Sequence, residues 1–157
     1  MKTVIIGSQG QLGSDLWKTL QANGDKVIGL SHQYLDITNK INSRNLLKSL
    51  SPELIINCAA YTDVDGSERN KNQAHMVNVV GLQNLILASN YNTYFVHISS
   101  DYVFDGNAGP YSEDDHTFPI NYYGKTKLEA ENTLRGSRRK YLILRTNVLY
   151  CEDLLFK

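Results

Sequence analysis

The chain has 157 residues, with 16 Lys+Arg against 16 Asp+Glu, and so carries no net charge; capture of nucleic acid or of an anionic membrane by bulk charge is excluded. A hydrophobic share of 41% with 20% charged residues belongs to a folded chain, not a disordered one, and the length suits one domain of roughly 100–200 residues. Cys58 and Cys151 are too few and too unpatterned for a disulfide framework or a zinc site.

In chain order, Lys2–Ile6 is a brief apolar run that reads as a strand. It breaks off too early for a signal-peptide core, and no later run approaches the roughly 18 apolar residues of a membrane span; a cytoplasmic, reduced protein is expected. Gln11–Asn23 puts Leu12, Leu16 and Leu20 four residues apart on one helical face, with Asn23-Gly24 as the stop. Lys26–Leu30 is a second strand, and a short extra strand is expected around Tyr34–Asp36. Thr38 is the expected cap of a helix over Asn39–Leu50, which ends before Ser51-Pro52. Leu54–Asn57 is the third main strand, and the polar stretch Tyr61–Asn72 reads as irregular. A helix from about Gln73 to Asn90 carries Met76, Val77, Val80 and Leu87 on a broadly apolar face. Strand Tyr94–Ile98 is followed by a long loop, Asp101–Tyr122, which holds Gly106, Gly109, Pro110 and Pro119. A helix over Tyr123–Arg135 closes at Gly136, and Tyr141–Arg145 is the last strand. Near-continuous apolar strands alternating with helices predict an α/β fold, a doubly wound parallel sheet of Rossmann-like type. Ligands of such sheets bind at loops leaving the carboxyl ends of the strands.

The first strand runs directly into Gly7-Ser8-Gln9-Gly10-Gln11-Leu12-Gly13, and a helix follows. This G-x-x-G-x-x-G spacing is a variant of the dinucleotide fingerprint. Gly7 serves the tight turn, Gly10 lets the backbone approach a pyrophosphate, and Gly13 permits close helix–strand packing. A glycine turn alone is a weak signal; its place between strand and helix raises it. The acidic residue expected about 20 residues further on is absent, since Leu30-Ser31-His32-Gln33 occupies that position. NADP(H) is therefore the expected cofactor, with NAD(H) tolerated. Asp36-Ile37 stands where an adenine-side contact would fall, and equally reads as a polar turn leading a helix.

Tyr123-Gly124-Lys125-Thr126-Lys127 sets a phenol and an amine at i and i+4 on one helical face. A nearby ammonium is expected to lower the phenol pKa from near 10, giving a proton donor and acceptor usable near neutral pH. Tyr122 has Thr126 four residues on and cannot play this part, and Lys125 reads as a surface charge. Ser99-Ser100-Asp101 ends the fourth strand, where a hydroxyl could donate to a carbonyl oxygen that gains negative charge. Each signal is bland alone; together, in this order on a β/α pattern, they corroborate one another.

Other constellations fail. Asp63-Val64-Asp65-Gly66 lacks the twelve-residue calcium-loop spacing, so Asp63, Asp65 and Glu68 are expected to form an acidic helix start. Glu113-Asp114-Asp115 reads as solvated loop, and His32, His75, His97 and His116 are scattered, so no metal site is expected. Arg135, Arg138, Arg139 and Lys140 make too small a basic turn for nucleic acid.

With these residues in view, the sequence resembles the extended short-chain dehydrogenase/reductases and, within them, the dTDP-4-dehydrorhamnose reductases. The resemblance is carried by Gly7–Gly13, by the stretch from Asn57 to Asp65, by Ser99-Ser100-Asp101-Tyr102-Val103-Phe104-Asp105-Gly106, by Tyr123 to Glu129 and by Leu144-Arg145-Thr146. It implies reduction of a 4-keto sugar on dTDP with hydride from NADPH or NADH. By resemblance, Tyr123 protonates the developing alkoxide, Lys127 holds the nicotinamide ribose and tunes Tyr123, and Ser100 stands where the family usually has Thr. Asp101 would contact the sugar. Gly7, Gly10, Gln11, Leu12, Ser31, Asp36, Ile37, Ala60, Tyr61 and Thr62 match cofactor positions, with Tyr123 and Lys127. The family usually reads Arg-Thr-x-Trp near the last strand; Arg145-Thr146-Asn147-Val148 has Val148 instead, which leaves the sugar nucleotide open.

Family members continue well beyond Lys157, so residues 1–157 are expected to be the cofactor half, with the C-terminal substrate domain missing. The expected partner is a nucleotide-sugar substrate, with neither nucleic acid nor membrane, and a homodimer is left open. A non-catalytic dinucleotide- or nucleotide-sugar-binding regulatory protein of the same fold is the alternative. A dehydratase or epimerase is disfavoured because Asp101 is followed by Tyr102, not by Glu.

Overall fold

The computed structural model describes residues 1–107 and 109–149; Cys151 lies outside them. Strands β1 (Thr3–Ile6), β2 (Val27–Leu30), β3 (Leu54–Asn57), β4 (Tyr94–Ser100) and β5 (Tyr141–Thr146) form one sheet in the order β2-β1-β3-β4-β5. Every neighbouring pair is parallel. Alternation along β1 sorts its side chains to opposite faces. Val4 and Ile6 join a large core with Leu30, Ile55, Phe95 and Leu134, whereas Ile5 joins a smaller one with Val27 and Ile56. Both faces are therefore covered, which explains why the central strands read as unbroken apolar runs.

Helix α1 (Gln11–Ala22) covers the smaller core through Leu16, Trp17 and Leu20. The opposite face carries α2 (Lys40–Leu50), α5 (Gly81–Ala88) and α6 (Tyr122–Gly136). The chain reverses its direction of travel across the sheet between β1 and β3. Their carboxyl ends thus open a crevice at the topological switch point, where ligands of such sheets bind.

Several local expectations are corrected. No strand forms over 34–36: Tyr34 and Leu35 both donate their N–H to the Ser31 carbonyl, and the segment is spent on a turn. Asn39, not Thr38, caps α2, its side chain accepting from the Asn42 N–H at 3.0 Å. Thr38 is engaged instead with Asp36, donating from both N–H and hydroxyl. The stretch 61–72 is not wholly irregular, since it contains α3 (Val64–Arg69) and the start of α4 (Lys71–His75). Asp63 caps α3 by accepting from Gly66 N–H, as the acidic helix start required. The helix placed from about Gln73 to Asn90 is α4 and α5 joined by a π-helical turn over Met76–Val80. The loop after β4 opens with a 3₁₀ turn over Asp101–Val103, and Asn121 caps α6.

Candidate active site

The site is built on the glycine turn. Gly7 has φ of +78°, and a Cβ there would stand 2.8 Å from the Ala59 backbone nitrogen, so both conformation and space require glycine. A Cβ on Gly13 would run into the Gly7 carbonyl oxygen, so the start of α1 closes directly on the turn at the end of β1. Gly10 caps α1 without a side chain, leaving the first-turn N–H groups free of a side-chain cap and the positive end of the helix open.

Two hollows lie along the carboxyl edge. One, of about 490 Å³, is lined by Gly10–Gly13 of α1, by Ser99 and Ser100 of β4, by Tyr123 and Lys127 of α6, and by the segment from Thr146 to Leu149. The other, of about 390 Å³, is lined by Gly7, His32, Asp36, Ile37, Thr38 and Val77 among others. They share Gly10, Cys58 and Ala60. A Cβ on Gly10 would meet only the Gly7 carbonyl oxygen, at 3.3 Å, so the fold itself does not demand glycine there. Room for a phosphate lying against the backbone does demand it. The residues present therefore fit a dinucleotide: an elongated groove, a helix N-terminus at its waist, and polar groups at both ends.

The groove brings together Gly7, Gly10, Gln11, Leu12, Asp36, Ile37, Ala60, Thr62, Ser100, Tyr123 and Lys127. Three other expected residues stand apart. Ser31 is buried at the end of β2, its hydroxyl without a partner. Tyr61 lines neither hollow; its backbone is clamped by Asn78 of the π turn, whose Oδ1 accepts from Tyr61 N–H at 2.8 Å. Asp101 lines a separate hollow of about 260 Å³ with Tyr102, Phe104, Asp105 and Tyr111. Asp36 holds the polar turn before α2 through its Oδ1 and also lines the second hollow.

The electrostatics differ from expectation at Tyr123. Burial pushes its phenol above the ordinary value; the hydrogen bond with Ser100 pulls down, and Asp101 and Tyr102 push up again. Lys127 is not among the groups that shift it. The reason is geometric: Lys127 turns inward, donating to the Ile98 carbonyl at 2.6 Å. Burial lowers the Lys127 amine to about 8, against an opposing pull from Glu131 and Cys58. The Cys58 thiol is pushed up to about 11 by burial despite the Lys127 charge. His97, beneath α6, is held well below its usual value by burial and then by Lys127.

Two residues that shape this arrangement escaped the sequence reading. Glu131, fully buried, lies four residues beyond Lys127 on α6. It accepts from the Ser99 hydroxyl at 2.6 Å and from Arg145 Nε and Nη2 at 3.0 and 2.9 Å. Burial pushes its carboxyl up, yet those hydrogen bonds and the charges of Arg145 and Arg135 bring it below the usual value. Its signal was present, as Tyr123, Lys127 and Glu131 recur every fourth residue. Asn78 gave no local signal: its Nδ2 reaches the Tyr61 carbonyl at 3.2 Å and Thr126 Oγ1 at 2.9 Å, 17 and 48 residues away.

Known proteins resemble this chain in sequence and in fold. A dTDP-4-dehydrorhamnose reductase of Aggregatibacter actinomycetemcomitans is 43% identical over 154 residues, covering 96% of this chain and 52% of that protein. The structure of dTDP-4-dehydrorhamnose reductase from Bacillus anthracis in complex with NADP is similar with a TM-score of 0.90 at 36% identity, covering 95% of this chain and 54% of that one. Methionine adenosyltransferase 2 subunit beta of Xenopus tropicalis is 34% identical over 157 residues, covering 95% of this chain and 47% of that protein. The chain thus spans about half the length of the curated relatives it matches. With the RmlD substrate binding domain model matching residues 1–154, the chain belongs to that family.

Proposed function

We propose that this chain is the dinucleotide-binding and catalytic portion of a reductase acting on the 4-keto group of a dTDP-linked deoxysugar. The reading rests on one observation above all: Ser100, Tyr123 and Lys127 line the same 490 Å³ hollow as the start of α1. NADP(H) is the proposed cofactor, with NAD(H) tolerated; the NADP complex of a relative and the missing acid after β2 support it. Gly7, Gly10, Gln11 and Leu12 would hold the pyrophosphate. Asp36 and Ile37 would hold the adenine side, with Ser31 near the ribose, and Ala60, Tyr61 and Thr62 would border the middle of the molecule.

The nicotinamide supplies the hydride. Tyr123 gives its phenolic proton to the carbonyl oxygen as that oxygen becomes an alkoxide, and Ser100 donates a hydrogen bond to the same oxygen. A phenol held above its ordinary pKa by burial suits this direction, because a general acid must still carry its proton at neutral pH. Lys127 would hold the nicotinamide ribose, and Asp101 would meet the sugar from the neighbouring hollow. A second reading, a non-catalytic dinucleotide-binding subunit, is favoured by the relative that is a subunit of methionine adenosyltransferase.

Titration with NADPH, followed by nicotinamide fluorescence, tests the shared part. Saturation below about 1 mM is expected, and no saturable change at that concentration would defeat both readings. NADPH consumption with a dTDP-4-keto-6-deoxy sugar then separates them. In a longer protein that joins this chain to a substrate domain, turnover that falls by about 10²-fold or more in Tyr123→Phe supports the reductase, and binding without turnover favours the subunit.

A further inference from the structure

Arg145 touches neither of the two hollows along the carboxyl edge, yet it stands where three parts of the molecule meet. On one side its Nε and Nη2 grip Glu131 of α6, the helix that carries Tyr123 and Lys127. On the other side its Nη1 donates to the Glu113 carbonyl at 3.1 Å, in the long loop after β4. Its guanidinium carbon also lies 4.9 Å from the ring centre of Phe104, which stacks on Tyr111 at 4.4 Å with a 4° tilt. Phe104 and Tyr111 are walls of the 260 Å³ hollow that contains Asp101. Tyr111 also donates its hydroxyl to Asp105, another wall of that hollow.

We propose that Arg145 is a positioning residue that fastens the substrate-side loop to the catalytic helix and so keeps the Phe104–Tyr111 wall in place beside Ser100 and Tyr123. The proposal rests on the reductase reading for its function and on this geometry for its substance. An arginine is needed because only a planar fork satisfies a carboxylate with two N–H groups and still offers a third to a carbonyl. Its stacking on Phe104 adds a contact that orients the ring. Glu131 anchors the fork where it has no freedom to swing, being buried and held also by Ser99 and Arg135. The positively charged group is thus spent on shaping the pocket, and none of it faces the groove proposed for the cofactor.

Hydrogen exchange read by mass spectrometry on the whole chain tests this, because Phe104, Asn107, Ser112 and Asp115 each have a bonded amide that reports loop order. Two variants are compared with the parent. Arg145→Lys keeps a cation beside Glu131 but loses the fork. The double variant Glu131→Gln with Arg145→Met removes both charges, so neither is left buried and alone. In both, exchange across residues 104–115 is expected to rise about tenfold or more, while α6 and β4 change by less than about threefold. The melting temperature of Arg145→Lys is expected to stay close to that of the parent. A merely structural cation would be rescued by lysine on both counts, so loop protection restored in Arg145→Lys overturns the proposal. Exchange that rises equally in α6 and in the loop overturns it too. NADPH titration of the same samples keeps the two ideas apart: loss of binding in the parent would count against the reductase reading, and the loop result would still judge Arg145.

Discussion

Lys127 shows how a functional residue can weaken the fold that holds it. The residue is 2% exposed, and its amine donates to the Ile98 carbonyl. Folding lowers its pKa from 10.5 to about 8. Between those values the unfolded chain holds the extra proton, so stability climbs as pH rises from about 8 to 10.5; below 8 the penalty is constant. Cys58 works the other way, because its thiol rises from 9.0 to about 11 and stability falls over that interval. Lys127→Met removes the first effect and, with it, the charge that restrains the Cys58 thiol. Urea unfolding is expected to find this variant more stable than the parent by about 3 kcal/mol below pH 8, the gap closing towards pH 10.5. A gap that does not change with pH would mean that Lys127 is not titrating in this range. Tyr123 and Lys127 were legible in the sequence because their spacing is local to one helix. What each does to the other's proton was not legible, because the inward turn of Lys127 depends on the carbonyl of a strand 29 residues away.

Among the elements, the π turn over Met76–Val80 ties the loop after β3 to α6. Such turns insert one residue into a helix and tend to mark functional positions. Here the turn presents Asn78 to the loop after β3 and to α6 at once. Thr126, which Asn78 contacts, in turn donates to the Tyr123 carbonyl at 2.7 Å. Asn78→Ala would leave the Tyr61 N–H and carbonyl without these partners, at a cost on the order of 2–3 kcal/mol in urea unfolding. Because the freed segment borders the groove, NADPH affinity is expected to fall severalfold in the same variant; unchanged affinity would show that the clamp is not needed for binding. Neither the turn nor the clamp could be read beforehand, since a π turn has no periodic signature and the Asn78 partners are 17 and 48 residues away. Helix α3 was legible only at its start, as six residues are too few to display a helical period. Its cap, Asp63 with Gly66, was visible only as an acidic cluster.

For the molecule as a whole, the sheet was the most legible feature. Each central strand is buried on both faces and so advertises itself as an apolar run. The loss of an extra strand beside β2 was not legible, because it depends on the turn that Tyr34 and Leu35 close on the Ser31 carbonyl. At the other edge, β5 exposes Leu142 and Leu144, 44% and 41% accessible. They stand opposite Val96 and Ile98 of β4, on the face where α1 covers only the first strands. An edge strand with apolar residues beside unpaired backbone groups promotes self-association. Light scattering is therefore expected to show that this chain associates as its concentration rises. The variant Leu142→Thr with Leu144→Thr is expected to stay monomeric to severalfold higher concentration, with NADPH affinity unchanged. Equal scattering by the two chains would mean that this edge is not the point of contact.

The saddle of Gly10, Cys58 and Ala60 between the two hollows has a consequence for how strongly any ligand can be held. With the dinucleotide seated as proposed, each basin alone would offer a modest grip on half a molecule, a nucleotide on one side or a pyridine nucleotide on the other. A molecule that straddles the saddle seats its second half from a high local concentration created by the first. Adenylate and nicotinamide mononucleotide, added separately, should then fill the basins without competing, each far more weakly than the tethered pair.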